Sequence, residues 1–367
     1  MGLYLSPWDR NHAGYGEPEY LEAYRAQLGE LLTGYGEIAE IWVDGANGGT
    51  GFYGGANEER RIDRRSYYRW PQTMGMVKEL QPSTLIFSDA GPDIRWIGNE
   101  RGFAGETNWS PITTRDITIG EADTEYLNAG DPMGEDWVVP LCDTSIRPGW
   151  FYHTDQDDRV KPPQELVDLY YRSVGRNCVL LLNIPPDQRG LFHENDVAAL
   201  RETRSILDET FATDIAVGAE AGATSWRLGH PKFAPGNVVD GLAGTYWAAE
   251  DGALGGPVAD GGAGEGVDTE VALELILPQV QEFDRILLQE PIRLGQRIAS
   301  FSVEARIEGE WRRVAEATTI GHKRLLRIEP VRGDGLRITI RKARGTPALS
   351  TVGLYRASSR EPVNAFQ

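Results

Sequence analysis

Apolar segments that end in an acid, separated by amphipathic helices, most constrain what this chain can fold into. The segment 38–45 (IAEIWVDG) is one such run, and the segments 83–93, 136–143 and 177–187 repeat its pattern. Between them, apolar residues recur at helical spacing in 18–33, and a second helix is expected from near Asp63 to Leu80. The glycine-rich segment 46–57 is expected to be a loop. Strands that are apolar on both faces and alternate with helices indicate a parallel sheet covered by helices.

The acids at the ends of these segments indicate which parallel fold is formed. Acidic side chains that follow strand ends are typical of the top face of a (β/α) barrel. The chain contains about five strand-helix repeats, whereas a closed barrel needs eight. We therefore expect residues 1–212 to form an incomplete (β/α)8 TIM-like barrel whose first strands would precede residue 1. A doubly wound sheet is less favoured, because no G-x-G-x-x-G follows a strand and opens a helix.

The sequence changes character near residue 213. Helical periodicity ends and glycine becomes frequent. Alternation with a period of two predicts strands in segments such as 271–277 (VALELIL), 301–311 (FSVEARIEGEW) and 336–343 (LRITIRKA). Residues 213–367 are therefore predicted to form an all-β domain, and the lack of a long linker predicts that the two domains pack together.

The composition argues against several classes of partner. The 55 acidic and 37 basic residues give a net charge of -18, which repels nucleic acid and an anionic membrane surface. No run of about 18 apolar residues could span a bilayer. Cys142 and Cys178 lie in apolar runs and are expected to be buried free thiols. A neutral glycan fits this composition, since hydrogen bonds and the rings of 10 Trp and 14 Tyr need no charge match.

Asp44 ends the segment 38–45, where a sheet would fix its backbone and expose its carboxylate. Cleavage of a glycosidic bond with retention needs two carboxyl groups about 5 to 5.5 Å apart, one as nucleophile and one as acid and then base. A strand-end acid on its own more often caps a helix or orders a loop. The residue type and its position therefore leave the role of Asp44 open.

Three runs carry a more specific signal, namely 2–20 (GLYLSPWDRNHAGYGEPEY), 40–48 (EIWVDGANG) and 92–100 (PDIRWIGNE). In this order they resemble the α-L-fucosidases of glycoside hydrolase family 29. Within that family they are most similar to the branch that acts on α-1,3 and α-1,4 fucosyl linkages. The resemblance covers residues 1 to about 210 and implies fucosylated oligosaccharides or glycoconjugates as substrates.

The resemblance implies that Asp44 is the nucleophile and Glu100 the acid/base. Trp42, on the same side of the strand as Asp44, would line the fucose pocket. The residues 96–98 before Glu100 are Trp, Ile and Gly, an apolar neighbourhood that favours a carboxyl group holding its proton for the first step. Glu106 is the rival for the acid/base role, because it lies in the same predicted loop.

Three further residues match positions around the family's pocket. Arg95 would steady the ring oxygen or hydroxyls of fucose, and the alternative is a salt bridge to Asp93 or Asp89. Trp8 would follow the first strand and stack on sugar, although packing is nearly as well supported. Trp150 resembles a late aromatic residue that closes over fucose.

Neither a metal nor a cofactor is expected in catalysis. His12 and His153 lie in loops and are not assigned to the catalytic set, and no group of His, Cys and acids has metal-ligand spacing. In the all-β domain, the runs 224–229, 233–249, 288–305 and 348–356 resemble the discoidin or coagulation factor type C family, a jelly-roll β-sandwich of galactose-binding-like fold. That resemblance makes Asp240 a candidate contributor to a structural calcium site, with a turn before glycine as the alternative.

One departure from the family pattern affects the expected activity. The histidine pair that binds fucose hydroxyls in the family has no counterpart in this sequence. We therefore expect the chain to be a truncated enzyme or to be completed by another chain, and the alternative function is a glycan-binding protein without catalysis. The complete protein would be secreted or periplasmic, and its oligomeric state is left open.

Overall fold

The computed structural model of the protein describes residues 1–44, 48–254 and 270–361. The chain divides into two compact units. The first comprises Met1–Asn99 and Ser110–Leu141, and the second comprises Glu100–Trp109 and Cys142–Gln367. The domain boundary predicted near residue 212 falls inside the second unit.

The first unit combines a parallel sheet with helices. No helix among the described residues of either unit is both long and apolar enough to cross a bilayer. The elements of the first unit are β1 (Gly2–Tyr4), α1 (Pro18–Gly34), β2 (Glu40–Trp42), β3 (Gly49–Tyr53), β4 (Glu58–Ile62), α2 (Trp70–Leu80), β5 (Leu85–Ser88), β6 (Ile94–Trp96), β7 (Pro111–Ile112), α3 (Thr124–Ala129), β8 (Asp136–Trp137) and β9 (Val139–Ser145), whose last residues belong to the second unit.

Strands β1, β2, β5, β6 and β9 lie side by side in this order, and each neighbouring pair is parallel. The predicted parallel sheet is therefore confirmed, as an incomplete TIM-like barrel that is curled rather than closed. Strand β6 was not predicted, because it has three residues and no helix separates it from β5. The short connection instead turns at Gly91, whose φ of 92° favours glycine.

The register of the first strands places their carboxyl ends at one edge. Tyr4 pairs with Trp42, and Trp42 pairs with Phe87. The chain continues past β2 with Val43, whose backbone N–H donates to the carbonyl oxygen of Phe87 at 3.0 Å. Side chains that follow β1, β2 and β5 therefore meet at the same edge of the sheet.

Helix α1 was predicted almost to the residue, and helix α2 was not. Pro18 is the first residue of α1, a position where the missing N–H of proline costs no helical hydrogen bond. Helix α2 was expected to begin near Asp63 but begins at Trp70. The side chain of Asp63 instead accepts hydrogen bonds from the backbone of Arg65 and the hydroxyl of Ser66, which forms a turn.

The glycine-rich segment 46–57 was interpreted as a loop, and most of it is a hairpin. Strands β3 and β4 pair antiparallel from Gly49–Ile62 to Tyr53–Glu58. The turn ends at Asn57, which has a φ of 55° that asparagine tolerates better than most residues. Residues 46 and 47, which begin the predicted loop, lie outside the described residues, as does Gly45.

The second unit contains the end of the barrel and an all-β region. Strand β9 neighbours β10 in the parallel sheet, and its residues Cys142–Ser145 belong to this unit. Cys142 and Cys178 are buried free cysteines whose sulfur atoms lie 2.7 Å apart. The elements of this unit after β9 are α4 (Pro163–Arg172), β10 (Val179–Asn183), α5 (Glu194–Thr210), β11 (Glu220–Ala223), β12 (Trp247–Ala248), β13 (Val271–Gln289), β14 (Ile298–Ile307), β15 (Glu310–Ala317), β16 (Arg324–Ala343), β17 (Ala348–Leu349) and β18 (Thr351–Tyr355).

We call β11 to β18 the antiparallel region. Its main sheet has the order β11-β13-β16-β14-β15, with β18 also paired to β13. The predicted run 301–311 is two strands, because Glu308 and Gly309 both have positive φ and form a hairpin turn. Trp247 is fully buried in the core of the region. The all-β prediction is confirmed, and the jelly-roll topology stays a prediction.

Within the second unit, the last barrel helices pack on the antiparallel region. Val167 and Tyr171 of α4 and Ile206 of α5 form one buried cluster with Leu325 of β16. Arg285 forms a buried ion pair with the carboxylate of Glu361 at 2.8 Å. Its guanidinium also donates to the hydroxyl of Tyr171, which places the ion pair beside this cluster. The contact is a packed interface with both apolar and polar layers.

Candidate active site

Asp44 lies directly after β2, half-buried, and its position is fixed by residues of the first strand and the loop after it. The hydroxyl of Tyr4 donates to Oδ2 of Asp44 at 2.7 Å. The hydroxyl of Ser6 donates to the backbone oxygen of Asp44 at 2.8 Å. One contact orients the carboxylate and the other holds its backbone, which is the positioning that a nucleophile needs.

Tyr4 is suited to remain a donor to this carboxylate. Desolvation of the phenol raises the pKa of Tyr4 even though the residue is 55% exposed, and the hydrogen bond and negative charge of Asp44 raise that pKa further. The phenol therefore keeps its proton at any pH at which the protein would work. The role of Tyr4 is not recognisable from the sequence, because it depends on β1 lying next to β2, and periodicity does not reveal strand order.

Asp89 is a second acid at the same edge, directly after β5. Its Oδ2 accepts a hydrogen bond from the backbone N–H of Gly120 at 2.7 Å. Burial raises the pKa of Asp89, the charge of Asp44 raises it further, and the bond from Gly120 opposes both. Asp44 and Asp89, which follow adjacent strands, are thus close enough for the charge of one to affect the pKa of the other. From the sequence alone, Asp89 is predicted only as a candidate ion-pair partner of Arg95.

Aromatic rings pack beside Asp44. The ring of Trp42 meets Tyr4 edge to face, with centroids 5.0 Å apart, and lies tilted against Phe87 at 4.8 Å. Trp8 is 43% exposed, and its backbone N–H donates to the hydroxyl of Ser6. The structure therefore brings Trp42 to the edge that carries Asp44, and leaves the ring of Trp8 accessible. Stacking of either ring on sugar stays a prediction.

Arg95 is fully buried in the first unit. Its guanidinium donates to the carbonyl oxygens of Leu127, Ser110 and Val138 at 3.1, 3.0 and 2.8 Å. These bonds tie β6 to three other segments, so Arg95 has a structural function whatever else it contacts. A contact with fucose stays a prediction.

Glu100 begins the segment 100–109, which belongs to the second unit and is anchored just beyond it. Gly102 has a φ of 80°, and a Cβ there would lie 2.7 Å from the methyl group of Thr144. The backbone N–H of Ala104 donates to the carbonyl oxygen of Arg172, and the carbonyl oxygen of Ala104 accepts from the guanidinium of Arg176. Glu100 itself is exposed, so the apolar surroundings expected from its sequence neighbours are wrong for its side chain.

Glu106, the rival acid/base, is engaged by two arginines. Its Oε1 accepts from Arg176, and its Oε2 accepts from Arg324 at 2.5 Å. Burial alone would raise the pKa of Glu106, but the charges and hydrogen bonds of Arg324 and Arg176 outweigh it, and the pKa is lowered. Glu106 is therefore held as a carboxylate in an ion-pair network, an unsuitable state for a proton donor.

Trp150 lies in the loop after β9 and is half-buried. Its carbonyl oxygen accepts from the amide of Asn183 at 3.0 Å, and the same amide donates to the hydroxyl of Ser145. The ends of β9 and β10 thus hold the backbone of this loop. Closure of the Trp150 ring over a sugar stays a prediction.

The remaining candidates have local structural roles. The ring nitrogen Nδ1 of His12 accepts from the backbone of Gly14 at 3.0 Å. The carboxylate of Asp240 accepts from the backbone of Leu242 and the hydroxyl of Thr245, the pattern of a turn. No cluster of three or more His, Cys, Asp or Glu able to hold a metal occurs in the described parts of the chain. Calcium binding by Asp240 stays a prediction, and the observed contacts fit a turn.

Known proteins resemble the chain over nearly its whole length. The α-L-fucosidase family model matches residues 2–209. α-L-Fucosidase 1 of Arabidopsis thaliana is 41% identical over 97% of this chain and 65% of its own length. The chain thus spans less than two thirds of this curated relative. The crystal structure of SpGH29 is 37% identical with a TM-score of 0.82, covering 98% of this chain and 74% of that one.

A Ruminococcus gnavus GH29 fucosidase, solved in complex with fucose, is also similar. It is 31% identical with a TM-score of 0.81 and covers 98% of this chain and 72% of that one. The family match includes the strand ends that carry Asp44 and Arg95, and the segment that begins with Glu100. On this evidence the chain belongs to the α-L-fucosidase family, glycoside hydrolase family 29.

Proposed function

We propose that the chain is a retaining exo-α-L-fucosidase in which Asp44 is the nucleophile and Glu100 the acid/base. The observation that carries the proposal is the carboxylate of Asp44, which lies at the end of a parallel strand and is oriented by the phenol of Tyr4 at 2.7 Å. Family membership supports the reaction, and the fucose complex of the Ruminococcus gnavus relative supports the sugar.

The reaction would proceed in two displacements. In the first, a carboxylate oxygen of Asp44 bonds to the anomeric carbon while the glycosidic C–O bond breaks, and Glu100 gives its proton to the departing oxygen. In the second, Glu100 takes a proton from water, whose oxygen bonds to the anomeric carbon and releases Asp44. Two inversions give net retention.

Glu100 is preferred over Glu106 because the two carboxyl groups have different surroundings. Glu106 is paired with two arginines, and its lowered pKa favours the ionised form. Glu100 is exposed and accessible to a substrate and to water. A residue that must both donate and accept a proton needs that access.

The substrate class is proposed from the resemblance of the three runs to the branch that cleaves α-1,3 and α-1,4 linkages. Fucosylated oligosaccharides or glycoconjugates would then be the substrates. We further propose that the antiparallel region is a jelly roll of galactose-binding-like fold. The antiparallel pairing and the burial of Trp247 in its core support that topology.

Paired substrates test the acid/base assignment. Glu100→Ala is expected to slow release of fucose from an unactivated fucosyl glycan by about 10²-fold or more, and to slow a dinitrophenyl fucoside far less, because only the poor leaving group needs a proton. Glu106→Gln is compared directly, and a smaller leaving-group dependence is expected there, because Glu106 contacts Arg324 and Arg176 and does not transfer the proton. A leaving-group dependence in the Glu106 variant, with none in the Glu100 variant, would reverse the assignment.

The second candidate function is glycan binding without catalysis. It is favoured by one observation, that no residues of this sequence match the histidine pair that the family resemblance implies for binding fucose hydroxyls. The same assay separates the two functions. Release of fucose by the unmodified chain supports the hydrolase, and retention of glycan binding with no release from either substrate supports the binding protein.

A further inference from the structure

The segment 100–109 joins the barrel to the antiparallel region within the second unit. We call it the Glu100 segment. It is grouped with residues from 142 onward rather than with the strand β6 that immediately precedes it. The reason lies in its hydrogen bonds, which run to α4, to the turn after it and to the antiparallel region.

Arg324, the first residue of β16, holds the centre of the Glu100 segment. Its guanidinium donates to the backbone oxygen of Glu106 at 2.8 Å and to the carboxylate of Glu106 at 2.5 Å. Arg324 is 4% exposed, so it is a buried charge whose partner is this one residue of the segment. A buried guanidinium that bonds both backbone and side chain fixes position and orientation together.

The turn between β15 and β16 holds the next two residues. The hydroxyl of Thr318 donates to the backbone oxygen of Glu106 at 2.9 Å and contacts the hydroxyl of Thr107 at 3.0 Å. The hydroxyl of Thr319 accepts from the backbone N–H of Asn108 at 2.9 Å. Both partners of that last bond are buried, at 2% and 0% exposure.

Gln296 adds a third contact from the antiparallel region. Its amide donates to the backbone oxygen of Asn108 at 2.9 Å, and Gln296 is 3% exposed. Backbone groups of Glu106 and Asn108 are therefore satisfied by side chains of the antiparallel region rather than by the barrel. Buried polar networks of this kind rigidify the segment they satisfy.

We propose that the antiparallel region positions the acid/base: Arg324, assisted by Thr318, Thr319 and Gln296, holds the Glu100 segment in the place from which Glu100 transfers its proton. The inference rests on the proposed role of Glu100. Arg324 is a positioning residue in this account, since it acts through Glu106 and the backbone. The contacts of Glu106 with Arg324 and Arg176 thereby identify it as an anchor rather than as a rival catalyst.

A purely structural interface would have a different signature. Loss of an anchor that only adds stability would lower the melting temperature and leave the chemistry of the folded enzyme unchanged. Loss of an anchor that positions the proton donor would slow the cleavage of substrates with poor leaving groups more than that of substrates with good ones. The reason is that only a poor leaving group depends on a proton from the displaced carboxyl group.

Arg327 provides a matched control. It lies three residues after Arg324 in β16, and its guanidinium pairs at 2.5 Å with Asp168 of α4. It therefore spans the same interface through a contact to α4 rather than to the Glu100 segment. Arg324→Met and Arg327→Met each remove one arginine from the same strand. Arg324→Met removes the ion pair with Glu106 of the Glu100 segment, and Arg327→Met removes the ion pair with Asp168 of α4.

The experiment measures kcat/KM of the full chain over a series of aryl fucosides whose leaving groups differ in pKa, together with thermal midpoints. Arg324→Met is expected to lose about 10-fold to 100-fold on the poorest leaving group and less than about 3-fold on the best. Arg324→Lys, which keeps the charge without the fork, is expected to recover part of the loss. The slope of log kcat/KM against leaving-group pKa compares the variants. Arg327→Met is expected to keep the slope of the unmodified chain.

Equal slopes for Arg324→Met and Arg327→Met would overturn the inference. Should Arg324→Met fail to fold, Thr318→Val removes a smaller contact to the same backbone oxygen, and an unchanged slope there would overturn the inference in the same way. Glu100→Ala separates this result from the proposed function. If Glu100→Ala steepens the slope and the Arg324 variants do not, the positioning role of Arg324 is contradicted and the acid/base role of Glu100 stands. If Glu100→Ala also leaves the slope unchanged, both roles are contradicted.

Discussion

The phenol of Tyr4 donates a 2.7 Å hydrogen bond to the carboxylate of Asp44 across two adjacent parallel strands. Each residue comes from the carboxyl end of its strand, so the pairing of β1 with β2 determines the contact. The same edge carries Trp42 and Asp89. A carboxylate oriented in this way suits the nucleophile role that we propose for Asp44, because it would not have to rearrange before reacting.

Removing the Tyr4 hydroxyl tests whether this bond contributes to catalysis. Tyr4→Phe keeps the ring packed on Trp42 and deletes one hydrogen bond to a charged group, worth about 1.5 kcal/mol, the lower end of the usual range, because Tyr4 is 55% exposed. We expect kcat/KM to fall by about 10-fold or more, with little change in the circular dichroism spectrum. Tyr24→Phe, which deletes a phenol bonded to the carbonyl oxygen of Leu5, is the control. Equal kinetic losses in the two variants would count against a special role for Tyr4.

Replacing Arg95 tests its structural function. Arg95→Met leaves three buried carbonyl oxygens without the donor they share, and each unsatisfied group costs about 1 to 3 kcal/mol. We expect the free energy of unfolding to fall by about 3 kcal/mol or more, measured by urea denaturation. The free energy of unfolding of Arg95→Lys should lie between those of the unmodified chain and Arg95→Met, because an ammonium group cannot reproduce the planar set of donors of a guanidinium. An unchanged unfolding midpoint in Arg95→Met would show that these bonds are dispensable.

Glu290 makes the stability of the protein depend on pH. Its carboxylate, 2% exposed, accepts from the backbone of Arg297, Ile298 and Gly321. Burial raises the pKa of Glu290 to about 7, against the opposing effect of these three bonds. Because the folded state then holds the proton more tightly than the unfolded state, the stabilisation is complete below about pH 4.5 and is lost as the pH rises through 7.

The comparison of Glu290→Gln with the unmodified chain measures this effect. Between pH 5 and pH 8 the unmodified chain is expected to lose about 2 to 3 kcal/mol more unfolding free energy than the variant. The glutamine cannot ionise, so it lacks this loss even if it is less stable at every pH. Parallel stability curves for the two proteins would contradict the raised pKa.

Periodicity predicted the parallel sheet, α1 and the strands of the antiparallel region, because burial on one or both faces leaves a direct pattern in the sequence. It missed β6 and the β3–β4 hairpin. Three residues are too few to show a period, and a glycine-rich strand lacks the apolar alternation that marks a strand. Helix α2 was extended too far because Asp63 begins a turn rather than a helix.

The candidate site was only partly predictable for a related reason. Asp44, Trp42 and Glu100 stand out through a resemblance of local runs. The partners that orient or anchor them come from distant parts of the chain: Tyr4 lies 40 residues from Asp44, and Arg324 lies 218 residues from Glu106. Such contacts depend on strand order and on how α4 packs on the antiparallel region, which a local pattern does not encode.

The most direct test of the central claim is azide rescue of Asp44→Gly. Removal of the carboxylate is expected to abolish fucose release from an aryl α-L-fucoside, and azide should restore turnover by entering the space that the side chain leaves. Because azide would attack from the face opposite the leaving group, the predicted product is β-L-fucosyl azide, identified by NMR. A folded Asp44→Gly variant that still releases fucose, or that yields only the α-azide, would contradict the assignment of Asp44 as the nucleophile.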